Sequence, residues 1–208
     1  MKTIAKTILV ASALTLVSSP VFAAKVLGKV ETNVNAGKVE QENTGKKNVN
    51  KMNLGGASDK AKVLGKVKTN VNVGKVEQEN KGKKNINEMN VGGVSGKAKV
   101  LGKVNTNVNA GKIEQENKGK KNINKMNVGG LSDKAKVLGK VNTNVNAGSI
   151  KQINTGKKNI NEMNIGGVSG KAKVLGKVKT NVSVGEVTQE NKGKKNVNQM
   201  NIGGVSGN

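Results

Sequence analysis

Residues 24 to 208 divide without remainder into five copies of 37 residues. Every copy opens with the sequence Ala-Lys-Val-Leu-Gly-Lys-Val, and the copies begin at Ala24, Ala61, Ala98, Ala135 and Ala172. A fixed period of this length is typical of arrays in which one copy buries little by itself and contact between stacked copies supplies the core. The sequence therefore predicts a single array rather than several independent domains, with repeats 24–60, 61–97, 98–134, 135–171 and 172–208.

The first 23 residues have the three parts of a secretory signal peptide. Lys2 and Lys6 supply a charged start, Ile8 to Val17 form a short apolar run, and Val21-Phe22-Ala23 fits a small-residue cleavage site. The apolar run is too short to cross a membrane as a helix, and the alternative is an anchor that is retained. We therefore expect a secreted protein that passes through the periplasm to the extracellular space or cell surface, with no transmembrane segment in the mature chain.

The composition excludes most kinds of catalytic and metal site. The chain has no His and no Cys, and its 37 Lys against 13 Asp and Glu give a net charge of +24. General acid–base catalysis, nucleophilic catalysis and structural zinc sites depend mainly on His, Cys, activated Ser and paired carboxylates. We therefore expect no enzymatic activity, no cofactor and no metal ion.

Apolar and polar residues alternate along each copy, as they do in β-strands. Gly (28 residues) and Asn (32 residues) are poor helix formers, and most of the remaining apolar residues are Val and Ile. In the first copy Val30, Thr32 and Val34 alternate with polar residues, and a second alternating run follows Gly37. The pattern predicts three or four short strands per copy, joined by glycine-bearing turns, in an all-β repeat solenoid of cross-β stacked layers. The sequence leaves open whether a copy forms one layer of 37 residues or two shorter ones.

Differences among the five copies indicate which side chains point inward. The positions of Gln41 and Asn43 carry Gln and Asn in every copy, whereas the position of Glu40 becomes Lys151 and Thr188. Fixed and variable positions alternate, as expected if the fixed ones face a core and their neighbours face water. The same comparison predicts two further inward sets, which are Val30, Thr32 and Val34 on the first strand and Asn48, Asn50, Met52 and Leu54 on the third.

This assignment leaves one apolar residue of the third strand on the outer face. The residue is Val49, and its equivalents in the other copies are also Val or Ile. A bulge in the strand or a second buried face would each explain it, and the sequence does not choose between them.

Inward amides need hydrogen-bond partners, because a buried amide without one costs on the order of 1–3 kcal/mol. If each copy forms one layer, equivalent residues lie about 4.7–4.8 Å apart, and each side-chain amide donates to one neighbouring copy and accepts from the other. The candidate stacking residues are Gln41, Gln78, Gln115, Gln152 and Gln189, together with Asn43, Asn80, Asn117, Asn154 and Asn191. The alternative is that these amides are the surface filler of a Lys-rich disordered chain.

The first and last copies keep the motifs of the inner ones, so the array shows no atypical capping copy. Exposed strand edges at the ends of a solenoid pair readily with further strands. We therefore expect a homopolymer, in the form of a fibre of cross-β layers to which each subunit adds roughly 24 Å of length.

The stretch from Thr32 to Asn43 reads Thr-Asn-Val-Asn-Ala-Gly-Lys-Val-Glu-Gln-Glu-Asn and recurs at 69–80, 106–117, 143–154 and 180–191. It resembles the Asn-, Gln- and Gly-patterned repeats of secreted bacterial functional amyloids, most closely the Fap-type fibre subunits of pseudomonads and more distantly the curlins. The resemblance implies a self-assembling fibre of the biofilm matrix, for adhesion or cell cohesion, with a dedicated secretion pore and a nucleator as partners. Fap-type subunits also have variable linkers and a terminal Cys pair, which this sequence lacks.

A pair of lysines recurs in every copy, at Lys46, Lys47, Lys83, Lys84, Lys120, Lys121, Lys157, Lys158, Lys194 and Lys195. Stacked layers would place these charges about 5 Å apart, within the screening length of roughly 8 Å at physiological salt. Polyanions such as extracellular DNA or anionic polysaccharide would relieve the repulsion through counterion release. The mature chain has no aromatic residue and no Arg, so we expect no sequence-specific nucleic-acid binding.

The sequence supports two functions from different classes. The first is the structural fibre subunit. The second is a cationic, largely disordered secreted matrix protein that binds polyanions, since a chain with many charges and no aromatic residue lies near the disorder boundary. A plainer interpretation of the lysines is a solvated basic face that keeps subunits apart before assembly.

Overall fold

The computed structural model describes residues 25–43, 46–47, 49–56, 62–94, 97, 99–131, 134, 136–168 and 173–203. The predicted signal peptide, residues 1–23, lies outside the described residues. The elements of the described part of the chain are all β-strands, which confirms the predicted all-β class. Each copy contributes one long and one short strand. The long strands are β1 (Lys25–Asn43), β3 (Lys62–Lys83), β5 (Lys99–Lys120), β7 (Lys136–Lys157) and β9 (Lys173–Lys192), and the short strands are β2 (Val49–Leu54), β4 (Ile86–Val91), β6 (Ile123–Val128), β8 (Ile160–Ile165) and β10 (Val197–Ile202).

The strands form two parallel five-stranded sheets, one of long strands and one of short strands. The spatial order is β1-β3-β5-β7-β9 in the first sheet and β10-β8-β6-β4-β2 in the second. Each residue pairs with its equivalent 37 positions further along the chain, as Thr32 does with Thr69 and Met52 with Met89. The chain is therefore a β-solenoid in which each 37-residue copy forms one layer, which answers the question that the sequence left open.

The long strands differ from the three or four short strands predicted for each copy. The two runs expected on either side of Gly37 form one continuous strand, and the same holds at Gly74 in β3. Val73 and Val76 are both buried, so the inward face shifts by one residue at this glycine. The strand continues through the shift because its hydrogen-bond partners lie in the adjacent layers, where the same shift occurs. A Cβ on Gly74 would lie 2.5 Å from the carbonyl oxygen of Gly37, so the close approach of the layers requires glycine here.

The inward faces predicted by comparing the copies are confirmed in the inner layers. In the second layer the buried residues include Val67, Thr69, Val71, Val76, Gln78 and Asn80 on the long strand, Asn85 just before the short strand, and Asn87, Met89 and Val91 on it. The corresponding Asn48 of the first copy lies outside the described residues. Fully burying one Val side chain stabilises by roughly 1.5–3 kcal/mol. Because each inner layer repeats this set, the layers together build a continuous core.

The aliphatic residues at the position of Val49 lie on the outer face of the short strands. Val49 is 57% exposed, and Ile86, Ile123 and Ile160 are half-buried. Neither of the two apolar clusters of described residues includes this position. The column therefore faces outward from continuous strands and does not form a second buried face.

The apolar core has two parts, which lie side by side along the solenoid. The larger part includes Val71 of the long strand and Met89 of the short strand. The smaller part includes Val67 of the long strand and Val94, which follows the short strand. The larger part thus joins the two sheets directly, while the smaller part joins the long strands to the turn that leads into the next layer.

Candidate functional site

A column of glutamines crosses the interior of the solenoid from the first layer to the fifth. The Nε2 atom of Gln78 donates a hydrogen bond to Oε1 of Gln41 over 2.8 Å, and that of Gln115 donates to Gln78 over 2.8 Å. The same bond joins Gln152 to Gln115 and Gln189 to Gln152, each over 2.9 Å. The structure thus brings all five candidate glutamines together in one hydrogen-bonded ladder.

Each glutamine of the inner layers also reaches the short strand of its own layer. The Nε2 atom of Gln115 donates to the backbone carbonyl of Lys125 over 3.2 Å, and that of Gln152 donates to the carbonyl of Glu162 over 3.2 Å. These side chains are fully buried, so their amides find partners without exposure to solvent. The glutamine column therefore connects successive layers and also connects the two sheets within a layer.

The neighbouring asparagine column is stacked but not hydrogen-bonded along its length. The register places Asn43, Asn80, Asn117, Asn154 and Asn191 one over the other. However, among the described residues neither amide atom of Asn80, Asn117 or Asn154 has a hydrogen-bond partner, although all three side chains are fully buried. The hydrogen-bonded ladder that the sequence predicts for this column is therefore not formed among the described residues.

The difference follows from side-chain length and from what lies opposite. Asn is one methylene shorter than Gln, so its amide does not reach the backbone carbonyls of the short strand. It meets instead a second asparagine column, in which Asn87 and Asn124 also lack partners within the described structure at both amide atoms. The bond from Nδ2 of Asn161 to Oδ1 of Asn191 is long, at 3.5 Å. Burial of these asparagines was predictable from the sequence, but their hydrogen bonding was not.

A further amide column is absent from the sequence-based predictions. Its members are Asn53, Asn90, Asn127, Asn164 and Asn201. Each Nδ2 donates to Oδ1 of the preceding copy over 2.7 to 2.8 Å. Asn90 also donates to the carbonyl of Val94 over 2.8 Å, and equivalent bonds join Asn127 to Leu131 and Asn164 to Val168. The sequence signal for this ladder is that Asn occupies the position in all five copies, although the alternation assigns it to the outer face.

The paired lysines lie where each long strand ends, and all ten side chains are exposed: Lys46, Lys47, Lys83, Lys84, Lys120, Lys121, Lys157, Lys158, Lys194 and Lys195. The second lysine of each pair has a positive φ, which is 60° at Lys84. In the first four copies its backbone N–H donates to the carbonyl of the first lysine of the pair in the next copy, as from Lys84 to Lys120 over 3.0 Å. Within the described part of the chain no ion pair involves these lysines. They form two exposed cationic columns, which we call the turn lysines.

Most of the glutamates pair with other lysines on the outer face of the long strands. Lys68 lies 2.9 Å from Glu31 and Lys118 lies 2.8 Å from Glu79, in both cases across a layer boundary. Lys29 lies 2.6 Å from Glu31 within the first layer. Hydrogen bonds from Lys29 and then from Lys68 lower the pKa of Glu31 from 4.5 to about 2. The turn lysines therefore keep a positive charge that no glutamate of the described structure offsets, as do other exposed lysines of the long strands.

The fifth layer exposes side chains that the fourth layer buries. Ile165 and Met163 of β8 are 0% and 3% exposed, whereas Ile202 and Met200 of β10 are 51% and 42% exposed. The outermost strands of the sheets are β1 and β9 in one and β2 and β10 in the other. Their outer backbone groups therefore have no strand partner among the described residues, and they offer the same edge that an inner strand uses for pairing.

The described residues offer little chemistry beyond these columns. They contain no group of three or more acidic residues that could hold a metal ion, and no helix among them is long and apolar enough to cross a membrane. A shallow groove follows Gly37 and its equivalents across the layers. It is lined by small, aliphatic and amide side chains and by no charged group. No family model, curated protein or solved structure matches the chain.

Proposed function

We propose that this protein is a secreted structural subunit that self-assembles, layer on layer, into extracellular amyloid-like fibres for biofilm matrix, adhesion or cell cohesion. The observation that carries the proposal is the equivalence of the layers. Every inner boundary repeats the same in-register pairing of both sheets, and the end layers present the same edges without a partner among the described residues. A second copy placed at either end would continue both sheets through contacts that the chain already makes internally.

The glutamine ladder supports the same proposal. Within the ladder Gln41 only accepts a hydrogen bond and Gln189 only donates one. Each end therefore has an amide group left to join a further layer. Stacking would also bury Ile202 and Met200, which at about 25 cal/mol per Å² of apolar surface favours addition over exposure to water.

The remaining parts of the proposal come from the sequence. Export depends on the signal peptide predicted in the first 23 residues. The biofilm setting, the secretion pore and the nucleator depend on the resemblance to Fap-type fibre subunits. None of these parts is needed for the stacking itself, so they are tested separately by following where the protein accumulates in cells that express it with and without residues 1–23.

The assembly test uses the chain without its predicted signal peptide and a variant that carries Lys in place of Gln78, Gln115 and Gln152. We expect the unchanged chain to form fibres with amyloid-dye fluorescence and a cross-β reflection at about 4.7–4.8 Å. The variant should assemble very slowly or not at all, because three unpaired charges would replace buried hydrogen-bonded amides.

The matched control carries Lys in place of Asn72, Asn109 and Asn146, which adds the same charges to the same three strands at exposed positions. It should still form fibres. Equal growth of the glutamine variant and the control would contradict the role of the ladder. Failure of the unchanged chain to form any fibre would contradict the proposed function itself.

The turn lysines favour a second function, which is the binding of polyanions such as extracellular DNA or anionic polysaccharide. They are exposed, and within the described chain the glutamates pair elsewhere, so their charge is open to an external partner. Replacement of Lys83, Lys84, Lys120 and Lys121 by Gln should weaken the binding of double-stranded DNA and flatten its salt dependence, as measured by fluorescence anisotropy. Replacement of the exposed Lys66, Lys103, Lys140 and Lys177 is the matched control, and an equal loss in both variants would assign the binding to net charge alone.

A further inference from the structure

Two outward columns change the sign of their charge between the first layer and the fifth. One column runs Lys38, Lys75, Lys112, Ser149 and Glu186. The other runs Glu31, Lys68, Asn105, Asn142 and Lys179. If the fifth layer of one chain stacks on the first layer of another in the register of the inner boundaries, Glu186 therefore lies beside Lys38 and Lys179 lies beside Glu31.

The inner boundaries show that such neighbours form ion pairs in either order. Lys68 pairs with Glu31 of the layer before it over 2.9 Å. Lys125 pairs with Glu162 of the layer after it, also over 2.9 Å. In both cases the two residues occupy equivalent positions of successive copies. A fifth layer stacked on the first layer of a second chain would bring equivalent positions together in the same way.

The amide ladders have a single direction along the solenoid. In the glutamine ladder and in the Asn53 column, each N–H donates to the oxygen of the preceding copy. The first layer therefore presents N–H groups outward and the fifth layer presents oxygens. Contact between a fifth and a first layer pairs donors with acceptors, whereas contact between two fifth layers would oppose oxygen to oxygen.

We propose that subunits join head to tail, with the fifth layer of one chain (β9 and β10) docked on the first layer (β1 and β2) of a second copy of this chain, and with ion pairs from Glu186 to Lys38 and from Lys179 to Glu31 across the junction. This inference rests on the proposed fibre function. It adds the polarity of the fibre and the residues that select it.

Two other charged columns repeat at such a contact the like-charge neighbours that they already have at an inner boundary. Glu190 would meet Glu42 at the junction, and Glu42 already pairs in register with Glu79 inside the chain. The turn lysines likewise lie on turn lysines at the inner boundaries, as Lys46 does on Lys83. The change of sign in the columns of Lys38 and Glu31 is therefore the feature that favours head-to-tail addition.

The test is seeded elongation with three variants, Lys38→Glu, Glu186→Lys and the double variant. Each single substitution makes the contact between Glu186 and Lys38 repulsive, and we expect it to lower the elongation rate about tenfold at low salt. Lys38→Glu also removes the internal ion pair of Lys38 with Glu40, so among the described residues Glu186→Lys is the variant that changes ion pairing at the junction alone. The double variant restores opposite charges, so it should extend its own seeds at nearly the unchanged rate but extend unchanged seeds poorly. Lys103→Glu, at an exposed position of the third layer, is the control with the same change in net charge and should elongate normally.

The outcomes separate the inference from the function on which it rests. Single variants that elongate as fast as the unchanged chain, or a double variant that does not recover, would overturn the proposed polarity. In roughly 1 M salt the single variants should approach the unchanged rate, because the screening length falls to about 3 Å. Absence of fibres from the unchanged chain would instead overturn the fibre function, and it would do so before any variant is compared.

Discussion

The glutamine and asparagine columns lie two residues apart on the same long strands, and both are fully buried in the inner layers. They differ in their hydrogen bonds. Gln115 has partners in both adjacent layers and on the short strand, whereas among the described residues neither amide atom of Asn117 has one. Stacking identical amides in register is therefore not sufficient for a ladder. In these two buried columns, the longer glutamine side chain also brings its second N–H to an acceptor on the opposite sheet, and the asparagine side chain does not.

The two columns therefore have opposite effects on stability. Each net hydrogen bond of the glutamine ladder contributes roughly 0.5–1.5 kcal/mol. A buried amide without a partner costs about 1–3 kcal/mol. The same strand thus carries one polar column that stabilises the stacked state and one that opposes it. Two substitutions separate their effects, and two exposed columns provide the comparison.

Gln115→Met has the largest expected effect. The substitution keeps the length of the side chain but removes its amide, and with it the hydrogen bonds that Gln115 makes with Gln78, with Gln152 and with the backbone carbonyl of Lys125. We expect the free energy of unfolding to fall by about 2–4 kcal/mol. Urea denaturation of freshly dissolved monomer measures it, and a loss below about 0.5 kcal/mol would show that the ladder does not stabilise the chain.

Asn117→Leu is the matched substitution in the asparagine column of the same layer. Leu has the branched shape of Asn, and no hydrogen bond of the described structure is lost. We expect the free energy of unfolding to stay within about 1 kcal/mol of the unchanged chain or to rise by about that amount. A loss as large as that of Gln115→Met, in the same urea series, would mean that the asparagine column is hydrogen-bonded after all.

Asn144→Ala tests whether an exposed ladder contributes as much to the free energy of unfolding as a buried one. Asn144 is exposed and donates to Asn107 over 2.8 Å, and it accepts from Asn181 over 3.0 Å. Because water competes for exposed amides, we expect a loss of only about 0.5 kcal/mol in the free energy of unfolding. If the loss equals that of Gln115→Met, burial is not what gives the glutamine ladder its strength.

The smallest effect on stability is expected for the exposed ion pairs of Glu31. The pKa of Glu31 is lowered from 4.5 to about 2 by hydrogen bonds from Lys29 and Lys68. Its contribution to stability is therefore present above pH 4.5 and is lost as the pH falls from 4.5 toward 2. Carboxyl NMR titration should place the midpoint near 2.

The control for this titration is Lys68→Met, which should raise the pKa of Glu31. The small difference in urea midpoint between the unchanged chain and Glu31→Gln should disappear below pH 2. A midpoint at 4.5 in the unchanged chain would show that the ion pair across the layer boundary does not form in solution.

Several features of the fold and the site were predictable because they depend on local patterns. The 37-residue period shows which residues are equivalent, and alternation shows which of them share a face. These two patterns were enough to predict the buried set that includes Val71, Gln78 and Met89, together with the stacking of the glutamines. The Asn53 column was also within reach, since its residue is Asn in every copy, but alternation alone assigned it to solvent because the turn that covers it is a tertiary contact.

The sequence by itself determined the β-class, the period, the inward faces and the excess of positive charge, since each of these is a property of residue types and their spacing. Only the tertiary structure decided that a copy is one layer, that the strand continues through Gly37, and that the buried glutamine column forms a ladder where the adjacent asparagine column does not. The physical reason is that these outcomes depend on distances between residues far apart in the chain. An amide is satisfied or unsatisfied according to whether an acceptor on another strand lies within about 3 Å of it, and spacing along the sequence does not contain that distance.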